Sequence, residues 1–293
     1  KKLNEPEKTF PLRMVWCESC TGVQIDYCVD GSEVYHLDYP YRSGITKELS
    51  EYQEKICLSL IEKYNLQSSD LVMDIGSNDA TMLTYYPNYV KRIGIDPTLN
   101  IDFSKLDPSI KTVTDYFSQK AALGASNGSL YKIITAIAMF YDLDDPLSFL
   151  SEIESSLAPD GIFCVQMSYL PTSLETLNFY DVIHEHLMYY TLSVFNYLVK
   201  KSNLYIFDVS FNDVNGGSIR VFLAHKSNVR PVSPWVNKIL KKESSLKLDE
   251  ISTYKEFSKK IQNLKEVTLR VILEENKRGS LMIGIGSSNK GNT

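Results

Sequence analysis

Four short apolar runs recur along the middle of the chain, and each is separated from the next by a segment able to form a helix. The runs cover residues 71–75, 92–96, 131–135 and 161–165. Parallel strands that are buried on both faces read as continuous apolar runs, and their alternation with helices implies right-handed crossovers. The pattern therefore predicts an α/β fold with a doubly wound, Rossmann-like sheet.

Three regions differ in their sequence pattern. Residues 1–45 show no long period and predict a small loop-rich module, whereas Thr46 is a candidate N-cap for an amphipathic helix. Residues 46–225 then hold the strand–helix alternation and predict one α/β domain. Residues 226–293 predict a helical linker, with one long helix or two broken ones, followed by the beginning of a further α/β domain that the sequence does not complete.

Composition excludes several classes of protein. The 293 residues carry a net charge of −5, which gives no general attraction to nucleic acid or to an anionic membrane surface. No long uncharged apolar window and no signal-peptide layout is present, so we expect a soluble, cytoplasmic protein. Five cysteines in a chain of this kind do not indicate a disulfide framework. The oligomeric state stays open.

A cofactor site is indicated where the first strand runs into a turn. Asp74 precedes Gly76, Ser77 and Asn78, and the next strand ends at Asp96, whose carboxylate could accept both hydroxyls of a ribose. The G-x-G-x-x-G pattern of dinucleotide sites is absent, so an adenosine ligand without phosphates, S-adenosylmethionine, fits better. Asp74 would then lie near its methionyl ammonium. The alternative is an ordinary strand–helix turn followed by a strand that ends in Asp.

Two of the four histidines flank one glutamate, as His184, Glu185 and His186. A histidine beside a carboxylate is suited to work as a general base near neutral pH. Metal binding is a weaker interpretation because H-x-H is not the H-E-x-x-H pattern. A pair of structural histidines fits the same residues.

Six blocks of the sequence, in order, resemble the sugar C-methyltransferases that act on nucleotide-linked 4-keto-deoxysugars. The blocks cover residues 11–25, 39–44, 74–83, 184–190, 215–220 and 284–293. The resemblance implies an N-terminal zinc-binding module, a central S-adenosylmethionine domain and a C-terminal domain. It also implies a small-molecule substrate in deoxysugar biosynthesis, and the net charge gives no reason to expect nucleic acid or a membrane as partner.

The resemblance further implies roles for individual residues. His186 would remove the proton next to the sugar ketone, and the enolate carbon would then attack the sulfonium methyl. Glu185 and a tyrosine of the 39–44 block, Tyr41, would support the base and the enolate. The block at 115–117, with Tyr116 and Phe117, would lie near the adenine. One departure is Ile183, which stands where the family has a tyrosine and so removes a hydroxyl donor.

The resemblance also implies residues that bind the substrate. The candidate substrate residues are Asn215, Gly216, Gly217, Arg220 and Lys290. Arg220 would be a phosphate partner, and the alternative for the Gly-Gly pair is a tight hairpin turn.

The candidate zinc ligands are Cys17 and Cys20, which resemble the second half of a zinc knuckle. A structural zinc site needs four ligands, and no Cys or His precedes Cys17. The other pair would lie before residue 1, unless Cys28 and His36 supply it. Cys57 and Cys164 fall on expected core faces and are interpreted as small hydrophobic residues.

Three functions remain open on the sequence alone. The first is carbon methylation of a nucleotide sugar. The second keeps the methyl donor but transfers the methyl group to oxygen or nitrogen of another small molecule. The third is a methyltransferase-like scaffold that binds without turnover, which the joint presence of a cofactor pocket and a base argues against.

Overall fold

The computed structural model describes residues 8–34 and 39–284. The strands of these segments are β1 (Met14–Trp16), β2 (Val23–Ile25), β3 (Leu71–Ile75), β4 (Lys91–Ile95), β5 (Ile110–Val113), β6 (Tyr131–Ile137), β7 (Leu157–Ser168), β8 (Met188–Tyr189), β9 (Leu204–Asn212) and β10 (Ser218–His225). The helices are α1 (Gly31–Val34), α2 (Lys47–Tyr64), α3 (Thr81–Thr84), α4 (Gln119–Ala125), α5 (Pro146–Ser156), α6 (Leu170–Thr176), α7 (Leu192–Val199), α8 (Pro234–Ser245) and α9 (Ile251–Lys277).

Seven strands form the central sheet in the order β5-β4-β3-β6-β7-β10-β9. The first five run parallel, which confirms the α/β Rossmann-like prediction. The sheet as a whole is mixed, because β10 is antiparallel to both β7 and β9. The physical reason is the five-residue connection at 213–217, which closes a hairpin and is too short for a parallel crossover.

The core lies on both faces of this sheet. All five residues of β3 are buried, with Met73 packed on one face and Val72 on the other. Helices α4, α5 and α7 cover the first face, and α2 and α3 cover the second. Burial on both faces is why the strands read as uninterrupted apolar runs.

Helix α2 begins where the sequence predicts. The Thr46 side chain accepts the backbone N–H of Leu49 at 3.3 Å, and Asn65 ends the helix in a left-handed conformation. The helical region after residue 232 consists of two helices, α8 and α9. Helix α8 packs on the core through Val236 and Ile239, so this part of the predicted linker belongs to the packed body.

A second, three-stranded sheet connects the N-terminal segment to the segment that follows His186. Strands β1 and β2 of the N-terminal segment pair with each other, and β2 also pairs with β8, which starts two residues after His186. The N-terminal segment is therefore attached directly to the chain that carries the His-Glu-His sequence. The predicted boundary at residues 45 and 46 stays a prediction.

No helix in the described part of the chain is both long enough and apolar enough to cross a membrane.

Candidate active site

A cavity of about 1050 Å³ opens at the carboxyl ends of the parallel strands. Open α/β sheets bind their ligands at this edge, where the strand order reverses, here between β3 and β6. The volume is just above the roughly 300–1,000 Å³ typical of small-molecule pockets. The cavity can therefore accommodate two ligands side by side.

The turn after β3 forms one wall of the cavity. Gly76 has φ +68°, and a Cβ there would lie 3.0 Å from Met139 Cγ, so the position favours glycine. The backbone N–H of Asn78 donates to Asp96 Oδ2 at 2.8 Å, and that of Thr98 donates to Asp96 Oδ1 at 2.8 Å. Each carboxylate oxygen keeps a further lone pair, so Asp96 can still accept two hydroxyls.

Asp74 is a buried carboxyl group at the base of this wall. It is 5% exposed and accepts a hydrogen bond from Thr135 Oγ1 at 2.6 Å. Burial raises the pKa of Asp74 to about 7, and the nearby Asp96 charge acts in the same direction against the Thr135 hydrogen bond. The site thus holds a carboxyl group that a nearby cation would ionise.

The opposite wall carries the histidines. His186 is 7% exposed, and its ring centroid lies 4.3 Å from that of Tyr141. His186 Nδ1 lies 2.8 Å from the backbone oxygen of Asp181 and 3.6 Å from its Oδ2. His184 Nε2 lies 3.2 Å from the backbone oxygens of both Phe10 and Pro11, so this histidine is bonded to the N-terminal segment.

The segment 39–44 connects the two walls. At one end, the Tyr39 hydroxyl donates to Glu185 Oε2 at 3.4 Å. At the other, Ser43 N donates to Asn78 Oδ1 at 3.1 Å, and Asn78 Nδ2 donates to the backbone oxygen of Tyr41 at 3.3 Å. Burial raises the pKa of both the Tyr39 and the Tyr41 hydroxyl, which keeps each phenol protonated as a donor.

Most of the residues named from the sequence line this one cavity. They are Tyr41, Asp74, Gly76, Asn78, Asp96, Tyr116, Phe117, His184, Glu185, His186 and Asn215. Ser77 is buried in the turn between Gly76 and Asn78. Ile183 also lines the cavity, at the position where the resemblance expects a hydroxyl.

Three of the candidate substrate residues are placed elsewhere. Gly216 and Gly217, at φ +80° and +114°, form the β9–β10 hairpin turn and pack against Asn178 and Thr172. This is the alternative that the sequence left open for them. Arg220 does not line the cavity. Its guanidinium donates to two residues that do, at Gln166 Oε1 and the Tyr52 hydroxyl.

The remaining substrate candidate, Lys290, lies outside the described residues.

Several residues at or beside the cavity were not anticipated from the sequence. Asp181, at the end of a 3₁₀ turn, contacts the His186 ring, and Gln166 at the end of β7 lines the cavity with Tyr52. Residues 29–32 of the N-terminal segment also reach the cavity, where a Cβ on Gly31 would meet the Tyr116 hydroxyl at 2.7 Å. Of these contacts, the sequence could have indicated only the one between Asp181 and His186, because these two residues lie close together along the chain.

The described residues supply two candidate zinc ligands. Hydrogen bonds from the backbone of Cys20 and Ser19 lower the pKa of Cys17, which favours the thiolate. Cys28 does not complete the set, because its thiol is directed to Asp144 at 3.5 Å. In residues 8–34 and 39–284, no group of three or more His, Cys, Asp or Glu side chains is arranged to hold a metal. These residues therefore do not form a complete four-ligand zinc site, and His36 lies outside them.

Two family models match the chain. Residues 49–209 match the methyltransferase domain, and residues 213–293 match the C-methyltransferase C-terminal domain. The first match covers more than half of the chain.

Individual proteins are similar over different shares of the chain. The C-methyltransferase NovU of Streptomyces niveus is 27% identical over 287 residues, which are 97% of this chain and 68% of NovU. The tRNA U34 carboxymethyltransferase of Campylobacter lari is 26% identical over 133 residues, 43% of this chain and 45% of that protein.

Among solved structures, the plantazolicin methyltransferase BpumL, in complex with a pentazolic desmethylPZN analog and SAH, is 16% identical with a TM-score of 0.47. That similarity covers 62% of this chain and 86% of BpumL. The family matches agree with the sheet and the cavity described above: the chain belongs to the methyltransferase domain family and is an S-adenosylmethionine-dependent methyltransferase.

Proposed function

We propose that this methyltransferase transfers the methyl group to carbon, on a nucleotide-linked 4-keto-deoxysugar, with His186 as the base. The observation that carries the proposal is that one cavity brings the Asp74–Asn78 turn and Asp96 together with the buried His186 ring. A methyl donor and a carbon acid can then lie in the same space. The match of residues 213–293 to a C-methyltransferase C-terminal domain supports carbon as the acceptor atom.

In this proposal the turn after β3 holds the methyl donor. Asp74 balances the methionyl ammonium, Asp96 accepts the ribose hydroxyls, and Tyr116 and Phe117 lie against the adenine. S-adenosylmethionine supplies an electrophilic methyl group on its sulfonium. The residues of this chain bind and orient it, and the Met139 side chain packs against Gly76 on one side of the turn.

His186 then takes a proton from the carbon beside the sugar ketone. The ketone makes that C–H bond acidic, because the electron pair that it leaves is shared with the carbonyl oxygen as an enolate. A phenol that stays protonated is a donor for such an oxygen, and Tyr41 is available in the cavity wall. The Tyr39 hydroxyl donates its one proton to Glu185, so Tyr39 holds Glu185 in place. The Tyr41 hydroxyl supplies the donor that Ile183 lacks.

The charge of the described walls favours one alternative acceptor. Seven carboxyl groups line the cavity, at Asp30, Asp74, Asp96, Asp142, Asp144, Asp145 and Glu185. Among the described lining residues, Arg42 alone carries a permanent positive charge. Such walls suit the cationic methyl donor, but they offer little to a diphosphate. The second candidate function is therefore methylation of oxygen or nitrogen on a small acceptor without phosphates.

A single assay separates these functions. Isotope-labelled S-adenosylmethionine is incubated with nucleotide 4-keto-sugars and, in parallel, with phenols and amines that lack phosphates, and the label is located by mass spectrometry and NMR. Carbon methylation also predicts that the wild-type protein exchanges solvent deuterium into the carbon beside the ketone. His186→Gln should reduce this exchange by about 10²- to 10⁴-fold while S-adenosylmethionine affinity stays the same.

The matched control for that assay is His184→Gln, which removes the neighbouring imidazole but not the proposed base. Exchange that is as fast in His186→Gln as in the wild-type protein would exclude His186 as the base. Label found on oxygen or nitrogen would establish the second candidate.

A structural zinc remains part of the proposal, with Cys17 and Cys20 as two of its four ligands. The regions 1–45, 46–225 and 226–293 are likewise proposed as module, methyltransferase domain and the start of a C-terminal domain. Metal analysis of the full-length protein, with Cys17→Ser as the control, tests the zinc. About one zinc per chain is expected, and none would reject it.

A further inference from the structure

Asp181 is a buried acid that lies beside the His186 ring. It ends the 3₁₀ turn Phe179–Asp181, five residues before His186, and its side chain is 2% exposed. Its backbone oxygen lies 2.8 Å from His186 Nδ1, and its carboxylate Oδ2 lies 3.6 Å from the same nitrogen. One residue therefore presents two oxygens to one edge of the imidazole ring.

The backbone contact determines which ring nitrogen can act as a base. A carbonyl oxygen only accepts hydrogen bonds, so His186 Nδ1 must carry the proton in that contact. In the neutral ring, Nε2 is then the nitrogen with the free lone pair. Because His186 lines the cavity, this arrangement leaves the basic nitrogen for the acceptor substrate.

We propose that Asp181 is the positioning residue of His186: it fixes the ring tautomer through its backbone oxygen and stabilises the protonated ring through its carboxylate. The catalytic part of this inference rests on the proposed carbon methylation. In that step the substrate C–H bond breaks, its proton moves to Nε2, and its electron pair forms the enolate. The enolate carbon then bonds the methyl group, and the C–S bonding pair returns to sulfur. The imidazolium proton is later lost to water.

Asp181 fits this role better than Glu185, the acid next to His186 in sequence. Glu185 accepts a hydrogen bond from the Tyr39 hydroxyl, across the cavity wall. The carboxylate of Asp181 is within ion-pair distance of the ring, and the surrounding low polarity strengthens a charge interaction at that distance.

Other titratable groups also face the His186–Asp181 pair. Tyr141 packs on the ring, and the Tyr189 hydroxyl lies 3.5 Å from the Asp181 backbone oxygen. Asp142 follows Tyr141, while His184 and Glu185 precede His186 in the chain. All of these groups are retained in Asp181→Asn, so a comparison with the wild-type protein isolates the Asp181 charge.

The first test needs no substrate. Selective ¹³C labelling of histidine Cε1 gives four resonances, and His186→Gln identifies the one to follow. Asp181→Asn should move the pH response of this resonance to lower pH, because the carboxylate that lies 3.6 Å from the ring nitrogen is gone. His225, whose ring contacts the Leu157 backbone oxygen, serves as the internal reference.

Glu185→Gln is the matched comparison and should move the His186 midpoint less than Asp181→Asn does. An unchanged midpoint in Asp181→Asn, or a larger change in Glu185→Gln, overturns the proposal. Asp181→Ser gives the same comparison with a smaller side chain if the asparagine variant does not fold by circular dichroism.

The second test measures catalysis. Asp181→Asn should slow deuterium exchange into the 4-keto-sugar by about 10²-fold or more, with KM nearly unchanged. The acidic limb of its pH profile should shift to lower pH by the same amount as the NMR midpoint.

The outcomes of the two tests distinguish failure of the Asp181 role from failure of the proposed carbon methylation. A shifted midpoint without any exchange by the wild-type protein supports the Asp181–His186 pair and refutes the proposed carbon methylation. Exchange by the wild-type protein that Asp181→Asn leaves unchanged refutes the positioning role alone.

Discussion

Binding of the methyl donor should release a proton from Asp74. Burial raises the pKa of this carboxyl to about 7 in the protein without ligand, against an ordinary value near 3.9. An ammonium placed beside it favours the ionised form. If the ammonium restores the ordinary value, the difference of about 3 pH units corresponds to about 4 kcal/mol of coupling at 1.36 kcal/mol per unit.

The sign of the pH dependence follows from which state holds the proton. Below about pH 7 the free protein carries a proton on Asp74 that the complex does not, so affinity falls as the pH falls. Between pH 7 and pH 5 the dissociation constant should rise about 50-fold, and at pH 6 about 0.9 proton should leave per ligand bound. This window lies below the titration of an ordinary α-amino group at about 7.7–8.0, so the ligand stays charged.

Calorimetry in two buffers of different ionisation enthalpy counts the proton directly. Asp74→Asn should bind with little pH dependence over the same range. Thr135→Val removes the hydrogen bond that lowers the pKa of Asp74, so it should move the onset of the affinity loss to higher pH. Equal affinity at pH 5 and pH 7 in the wild-type protein, or the same proton count in Asp74→Asn, would refute this reasoning.

The folded protein without ligand provides an independent check of the same group. A carboxyl whose pKa is higher in the folded than in the unfolded state stabilises the fold most below pH 3.9 or so, and that contribution is lost as the pH rises through about 7. Asp74→Asn should therefore resist urea better than the wild-type protein at pH 8. The advantage should be small at pH 4.

Two further predictions concern single carboxylates. Asp96→Ala should weaken binding of S-adenosylhomocysteine by about 1.5 to 3 kcal/mol in calorimetry, and a 2′-deoxy analogue should lose affinity for the wild-type protein but not for this variant. Glu243, which is 2% exposed, accepts the backbone N–H groups of Leu192 and Ser193 at 2.7 Å and the Tyr169 hydroxyl at 2.8 Å. Glu243→Gln should lower the free energy of unfolding by about 2 to 4 kcal/mol in urea, whereas the exposed neighbour Lys242→Gln should change it by less than about 0.5 kcal/mol.

Local patterns in the sequence were sufficient for the features that depend on neighbours along the chain. The parallel strands were predicted from apolar runs, and the start of α2 from Thr46, because burial on both faces and helix capping both act over a few residues. The turn after β3 was predicted for the same reason, since a strand end, Gly76 and Asp96 follow one another at a fixed spacing, and its role in holding the cofactor stays a prediction. Features that depend on distant segments were not predicted. Glu243 caps α7 from a helix some fifty residues away, and β8 pairs with β2 across most of the chain.

The His186 wall shows why adjacency in sequence misleads about chemistry. Glu185 is the nearest acid to His186 along the chain, and in an extended segment adjacent side chains point in opposite directions. The chain here first makes the 3₁₀ turn Phe179–Asp181 and then bends at residues 184–185, where His186 N bonds back to the Ile183 oxygen at 3.1 Å. That double turn brings the acid five residues back against the ring and leaves Glu185 for Tyr39. The sequence predicted that His186 lies at the site, and it does line the cavity, but the turn decides which acid contacts its ring.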